Sequence, residues 1–346
     1  MTKFLRVMSI TALLAFLSCA IQLASPLTNQ ESRKRVQNNN KQGVLVVSYT
    51  ADGQVALIDP ASKKEFARFP SPQGPHEITI SSDGSRAFIA NSGTGPRGSP
   101  GDSVVVLDLN SRLVTSTFKP CDRPHDTRVS KDGKLLWVAC SPMKAVLEID
   151  AETGAIRNTW NTGIDGGWFV EVTPDERKLY VPHLEGKAFS VIDRRTGNVR
   201  EVFKGTTQLG VSISPNGREV WVSDAEENRL SVVTTSNDRV STTISLGPVV
   251  KGTPSFSRLR FTPDGRNVAV VRDSKFMLVD AKRHSVMWST DMPHAGKVIT
   301  VSDDSRRAFV SHPENDSISE INLLTKRVEA TFAVGKQPDG VAWLKK

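Results

Sequence analysis

From residue 43 onward, apolar residues come in short runs fenced by turn formers, and the same arrangement returns along the whole chain. The runs "RAFIAN", "KLLWVAC", "KLYVPH", "EVWVSD", "NVAVVRD" and "RAFVSH" are rich in β-branched and aromatic residues. They alternate or are continuously apolar, which is a strand pattern rather than a helix stripe. A turn of one type precedes each run: SSDG at Ser81, SKDG at Ser130, TPDE at Thr173, SPNG at Ser214, TPDG at Thr262 and SDDS at Ser302. Its Asp or Asn stands at 83, 132, 175, 216, 264 and 304, giving gaps of 49, 43, 41, 48 and 40 residues. A period of this length belongs to β-propellers and a few solenoids. A hairpin then follows, as in "AVLEIDAETGAIRNTW" and "AFSVIDRRTGNVREVF". There Asp150 and Asp193 are expected to cap their own turns, and Gly154 and Gly197 to supply the positive φ.

Each unit therefore reads as four antiparallel strands, A to D. Six units are complete or nearly so, and the two ends of the chain carry the pieces of a seventh. Residues 43–69 supply strands B, C and D with no strand A before them, and residues 337–346 supply a strand A and stop. A ring accounts for this division, because the last strand completes the sheet begun by the first residues. An open solenoid would need capping repeats, and none is visible. The expected fold is all-β: a seven-bladed β-propeller over 43–346, made of four-stranded antiparallel blades and closed by pairing the N-terminal strands with the C-terminal strand.

The "FIAN", "WVAC", "YVPH", "WVSD" and "FVSH" strand ends, the SPDG-like turns and the "VIDxxTG" hairpins resemble the YVTN-repeat, lactonase-like seven-bladed propellers. The resemblance covers about residues 43–346. It implies the fold more strongly than any activity, since that group spans surface-layer-like proteins, relatives of sugar lactonases and relatives of haem-bearing nitrite reductase domains.

The first 42 residues depart from the repeat. Lys3 and Arg6 precede an apolar stretch over 7–24 that ends in small residues, the pattern of a secretory signal. Cleavage after Ala20, lipidation at Cys19 and retention as an uncleaved anchor are the three outcomes open to it. Residues 25–42 lack large apolar side chains and read as a disordered linker. The chain is thus expected to be exported, periplasmic or extracellular, with the membrane involved only through a Cys19 anchor. The formal charge is +8, and the basic pairs are scattered, with no long basic helix. That excludes the usual nucleic-acid modules. A monomer is expected.

Strand direction alternates within a blade, so the D–A and B–C loops share one face, here the top. His76 and His125 begin strand A in neighbouring blades, in "PHEITI" and "PHDTRV". Counting back from the following turn, the equivalent positions are Trp168, Leu209, Ser257, Lys297 and Asp339. His183 and His312 end strand B on the same face, beside Asn91, Cys140 and Asp224. The long loops 92–103 and 247–257 map there too, and long loops on one rim are where ligand sites concentrate. The top-face candidates for ligand binding are therefore His76, Glu77, Asn91, His125, Asp126, Trp168, His183, Asp224, Lys297, His312 and Asp339. A histidine ahead of strand A can equally serve only to guide the chain into the blade.

Cys121 and Cys140 bracket strands A and B of one blade. They are candidates for a disulfide in an exported protein; the rival is a soft metal site formed by Cys121, His125, Cys140 and His76. No HExxH, Cys-x-x-Cys-His or paired zinc motif is present. No cofactor is predicted, with a metal or haem-like group as the exception to watch. Three functions remain: a binding scaffold for a small molecule, glycan or protein; a lactone or ester hydrolase; and a haem- or copper-type redox carrier. No complete acid–base set is visible, so catalytic residues are not assigned.

Overall fold

The computed structural model describes residues 43–94, 99–249 and 257–346. The expected signal segment 1–24, the expected linker 25–42 and the middles of the two long loops lie outside the described residues. Seven four-stranded antiparallel sheets form. In chain order the inner strands, strand A of each blade, are β4 (Pro75–Ile80), β8 (Pro124–Val129), β12 (Glu171–Val172), β16 (Gln208–Ile213), β20 (Ser257–Phe261), β24 (Ile299–Val301) and β28 (Pro338–Leu344). The seventh sheet joins β28 to β1 (Val44–Tyr49), β2 (Gln54–Asp59) and β3 (Lys64–Pro70), so the two ends of the repeat region meet in one blade.

Closure is visible in the packing as well. The buried apolar residues fall into seven clusters, each between two adjacent blades. Seven blades in an open row would share only six such faces. The cluster that seals the ring joins Leu45, Val47 and Val341 to Phe309 and Ile318. On the other side of the split blade, Val44, Val46 and Leu344 pack on Ile89 and Val105. The seam is close at the backbone level too: a Cβ on Gly340 would strike the His76 carbonyl, so β28 can lie against β4 only with glycine there.

The repeated turn explains the repeated sequence. In all six copies the Ser or Thr hydroxyl donates to the Asp or Asn two residues on, at 2.6–2.8 Å. It also accepts the backbone N–H five residues on. The hairpin acids behave as expected, Asp150 and Asp193 each accepting two backbone N–H groups of their own turns.

Candidate functional site

The innermost strands surround a central shaft, and at its top is a cavity of about 680 Å³. His76, His125, Trp168, Leu209 and Lys297 line it, one from each of five blades, together with Phe169 and Arg258. Four of these, His76, His125, Trp168 and Lys297, are site residues expected from the sequence. Two others, Asp339 and Glu77, stand directly behind the wall: Asp339 contacts His76 and Lys297, and Glu77 holds Arg258. Asp126 lies deeper in the shaft.

His76 is fixed by two acceptors. Nδ1 lies 2.7 Å from Asp339 Oδ2, a contact too bent for a linear hydrogen bond but short for an ion pair. Nε2 lies 2.9 Å from the Gly93 carbonyl oxygen. Neither partner has a proton to give, so both ring nitrogens carry hydrogen and His76 is an imidazolium. Burial works against that charge, but Asp339 outweighs it and raises the pKa. Burial likewise disfavours the Asp339 carboxylate, while Lys297, at 2.6 Å, and His76 hold its pKa well below the usual range.

His125 is the opposite case. It is half-buried and packs against three rings, those of His76, Trp168 and Phe169, at 5.0, 5.3 and 4.9 Å between centroids. Its Nδ1 has no hydrogen-bond partner. Burial, then the charges of His76 and Arg258, push its pKa far down, so this ring is neutral. Trp168 is held in place by Nε1 donating to Glu185 Oε2 at 3.0 Å. Gly166 permits this turn, since its φ is +80° and a Cβ there would overlap Glu185.

Arg258 was not among the expected residues. Counting from the turn points to Ser257, and the structure corrects that by one position. The strands β4, β8, β16 and β28 each carry a bulge near their start, whereas β20 pairs without interruption. With one residue fewer, the position after the first pair is Arg258. The strict alternation of "SRLRF" was the available signal. The guanidinium lies 3.7 Å over the Phe169 ring and donates through Nη2 to Glu77 Oε1 at 2.8 Å.

Below the cavity the shaft is filled by charge. Arg128 bridges Asp126 at 2.6 Å and Glu171 at 2.8 Å, and Arg260 reaches Glu171 at 3.4 Å. With the Arg258–Glu77 pair this makes three guanidiniums for three carboxylates, a fully paired arrangement that buried charges need. The remaining space is about 30 Å³, room for about one water. Burial pushes Asp126 up to about 6, with Arg128 opposing.

The other expected residues are on the top face but not on the cavity wall. Asn91, His183, Asp224 and His312 are each at most 2% exposed. They secure the passage from strand B to strand C. His183 Nε2 meets Ser190 Oγ at 3.0 Å, and His312 Nε2 meets Ser319 Oγ at 2.7 Å. Asn91 donates to Ser103, and Asp224 accepts the N–H groups of Glu226 and Glu227. Cys121 and Cys140 are joined by a disulfide, with Cα atoms 6.2 Å apart. In that state neither sulfur is a thiolate ligand, and the four-residue soft-metal set is not assembled.

No family model matches the chain. It is 23% identical over 268 residues to "Antigen Lp49" of Leptospira interrogans, covering 68% of this chain and 57% of that protein. The chain thus spans just over half the length of that curated relative. Among solved structures it is similar to Kuenenia stuttgartiensis hydrazine synthase, with a TM-score of 0.70 at 17% identity, covering 82% of this chain and 93% of that one. It is also similar to the periplasmic gluconolactonase of Pseudomonas aeruginosa, with a TM-score of 0.68 at 18% identity, covering 87% and 99%. A third is the dihydro-heme d1 dehydrogenase NirN in complex with DHE, with a TM-score of 0.60 at 16% identity, covering 87% and 75%. At these identities the likeness shows the fold, a seven-bladed propeller with lactonase-like structural neighbours.

Proposed function

We propose that this chain is an exported β-propeller whose top-face cavity binds a small molecule, and that it serves as a binding scaffold. The observation that carries this reading is the cavity itself. Its volume of about 680 Å³ falls within the roughly 300–1,000 Å³ of small-molecule sites. It is concave, closed below by the paired charges, and walled by aromatic rings with a few aimed cations, which suits a small ligand better than a protein surface. Export is supported by the leader-like first 24 residues and by the periplasmic gluconolactonase among the structural neighbours. The test is a thermal-shift screen of the full chain against sugars, lactones and small organic acids. A ligand that raises Tm in the native chain and not in Trp168→Ala supports the proposal. No shift across the screen, or shifts indifferent to Trp168→Ala, contradicts it.

Lactone hydrolysis is the second reading, and His125 is what favours it. A neutral imidazole on the cavity wall can take a proton from water as the water oxygen attacks the lactone carbonyl. The carbonyl carbon–ring oxygen bond then breaks, and the ring oxygen leaves as a hydroxyl with the proton returned by His125. Arg258 and Lys297 are placed on the same wall to stabilise the oxyanion. His76 does not fit the role of base, because both its nitrogens already carry protons. Lactone turnover that disappears in His125→Gln would favour this reading over the scaffold. For a redox carrier, a copper-type donor set is not assembled while the cysteines are joined. For a haem-type group the candidate ligand is His125, a wall residue whose buried Nδ1 has no hydrogen-bond partner.

A further inference from the structure

The cavity wall is divided into two arcs, and this division identifies a ligand class. The argument rests on the proposal that the cavity is a small-molecule site. In blade order, three consecutive blades contribute Lys297, Asp339 and His76, with Arg258 on the blade before them. The next three contribute His125, Trp168 and Leu209. The first arc carries an excess of cations; on the second His125 is neutral, and Arg123 and Glu185 bring one charge of each sign.

The charged arc is not balanced. His76, Lys297 and Arg258 are three cations, and Asp339 and Glu77, the acids that contact them, are two carboxylates. One positive charge is left in excess. His76 has both its protons committed, so it acts through its field. Lys297 has one proton donated to Asp339 and two to spare, and its side chain is 42% exposed. Arg258 uses Nη2 on Glu77, and a guanidinium has further donors in a planar fork that matches a carboxylate. The remaining charges on the wall do not alter this. Asp273 is paired with Arg272, and on the far arc the Glu185 carboxylate, which accepts from Trp168, and the Arg123 guanidinium, which donates to the Ser92 carbonyl, are one charge of each sign.

The opposite arc offers flat rings, the Trp168 indole and the His125 ring packed edge-on to it, while the Phe169 ring is already covered by Arg258. Such rings accept a planar body by stacking. From the two arcs together we infer that the cavity recognises a small monocarboxylate with a flat apolar or aromatic body, its carboxylate held by Lys297 and Arg258 and its body laid against Trp168 and His125.

Calorimetry on the full chain tests this with three probes of one shape: indole-3-acetate, its uncharged amide indole-3-acetamide, and the cation tryptamine. The acid should bind at least tenfold tighter than the amide, and tryptamine more weakly than either. In Lys297→Met the arc becomes neutral, and the acid should lose its advantage while the amide is unchanged. Because Lys297 is half exposed, that variant keeps the fold, which Tm verifies. Equal binding of acid and amide, tighter binding of tryptamine, or an advantage that survives Lys297→Met overturns the inference. If instead a neutral sugar or lactone binds in a Trp168-dependent way and the acid does not, the ligand class is wrong and the cavity remains a site. If no compound binds, both fail.

Discussion

His76 and His125 on one side, and His183 and His312 on the other, make an instructive contrast. All four lie on the top face of the ring, and two belong to each of two repeating positions. The first pair begins strand A, where the chain reaches the shaft, and its rings form cavity wall. The second pair ends strand B, one strand further out, and its rings are fully buried and bonded to a serine of strand C seven residues on. Residue type and face are the same; the radius differs. The position along the blade decides whether a histidine faces the cavity or fastens a corner.

Opening the ring should have the largest effect, since both positions depend on it. Deletion of residues 337–346 removes β28, exposing the edge of β1 and the cluster around Leu45 and Phe309. The chain should lose its cooperative melting transition in calorimetry; a truncated chain that melts as the full chain does would contradict closure. Next, His312→Ala should destabilise by about 3 kcal/mol, from a cavity plus the lost bonds to the Ser319 hydroxyl and the Ala295 carbonyl. Ligand affinity measured well below Tm should not change.

The third effect is acid sensitivity. Burial depresses His183 to about 4, against an unfolded value near 6.5. Its neutral form favours the fold, so this contribution is whole above pH 6.5 and is lost as pH falls toward 4, about 3 kcal/mol in all. His183→Gln should therefore melt with a flatter pH dependence over that window. His76 has the opposite sign: its raised pKa gives stability that is present below 6.5 and lost as pH rises through the folded value. Carboxylate affinity should fall over the same rise in pH, because the arc becomes neutral; Asp339, Lys297 and His125 are the groups that face this ring. Smallest in stability is His125→Ala, expected to cost about 1–2 kcal/mol, because lost packing against three rings is partly offset by removing an imidazole nitrogen that is buried without a partner. Its effect on binding should nonetheless exceed tenfold.

The fold could be read from the repeat because each blade carries its own instructions. The Ser-x-Asp turn and the apolar run are local, and the split between residues 43–69 and 337–346 implied the joint. The site was only half visible. His76, His125, Trp168 and Lys297 follow from counting along strand A. Arg258 was lost because one missing bulge moves the count by a residue, and counting back from the turn assumes the same number of residues in every strand A. His183 and His312 were grouped with the wall because periodicity gives the face of the ring and not the distance from its axis.

Histidine-ring NMR of the full chain, which has six histidines, tests the central claim most directly. On titration with indole-3-acetate the ring signals of His76 and His125 should move together and saturate, while those of His183 and His312 stay in place. Signals of His183 and His312 that move while His76 and His125 stay still would place the ligand elsewhere and contradict the account.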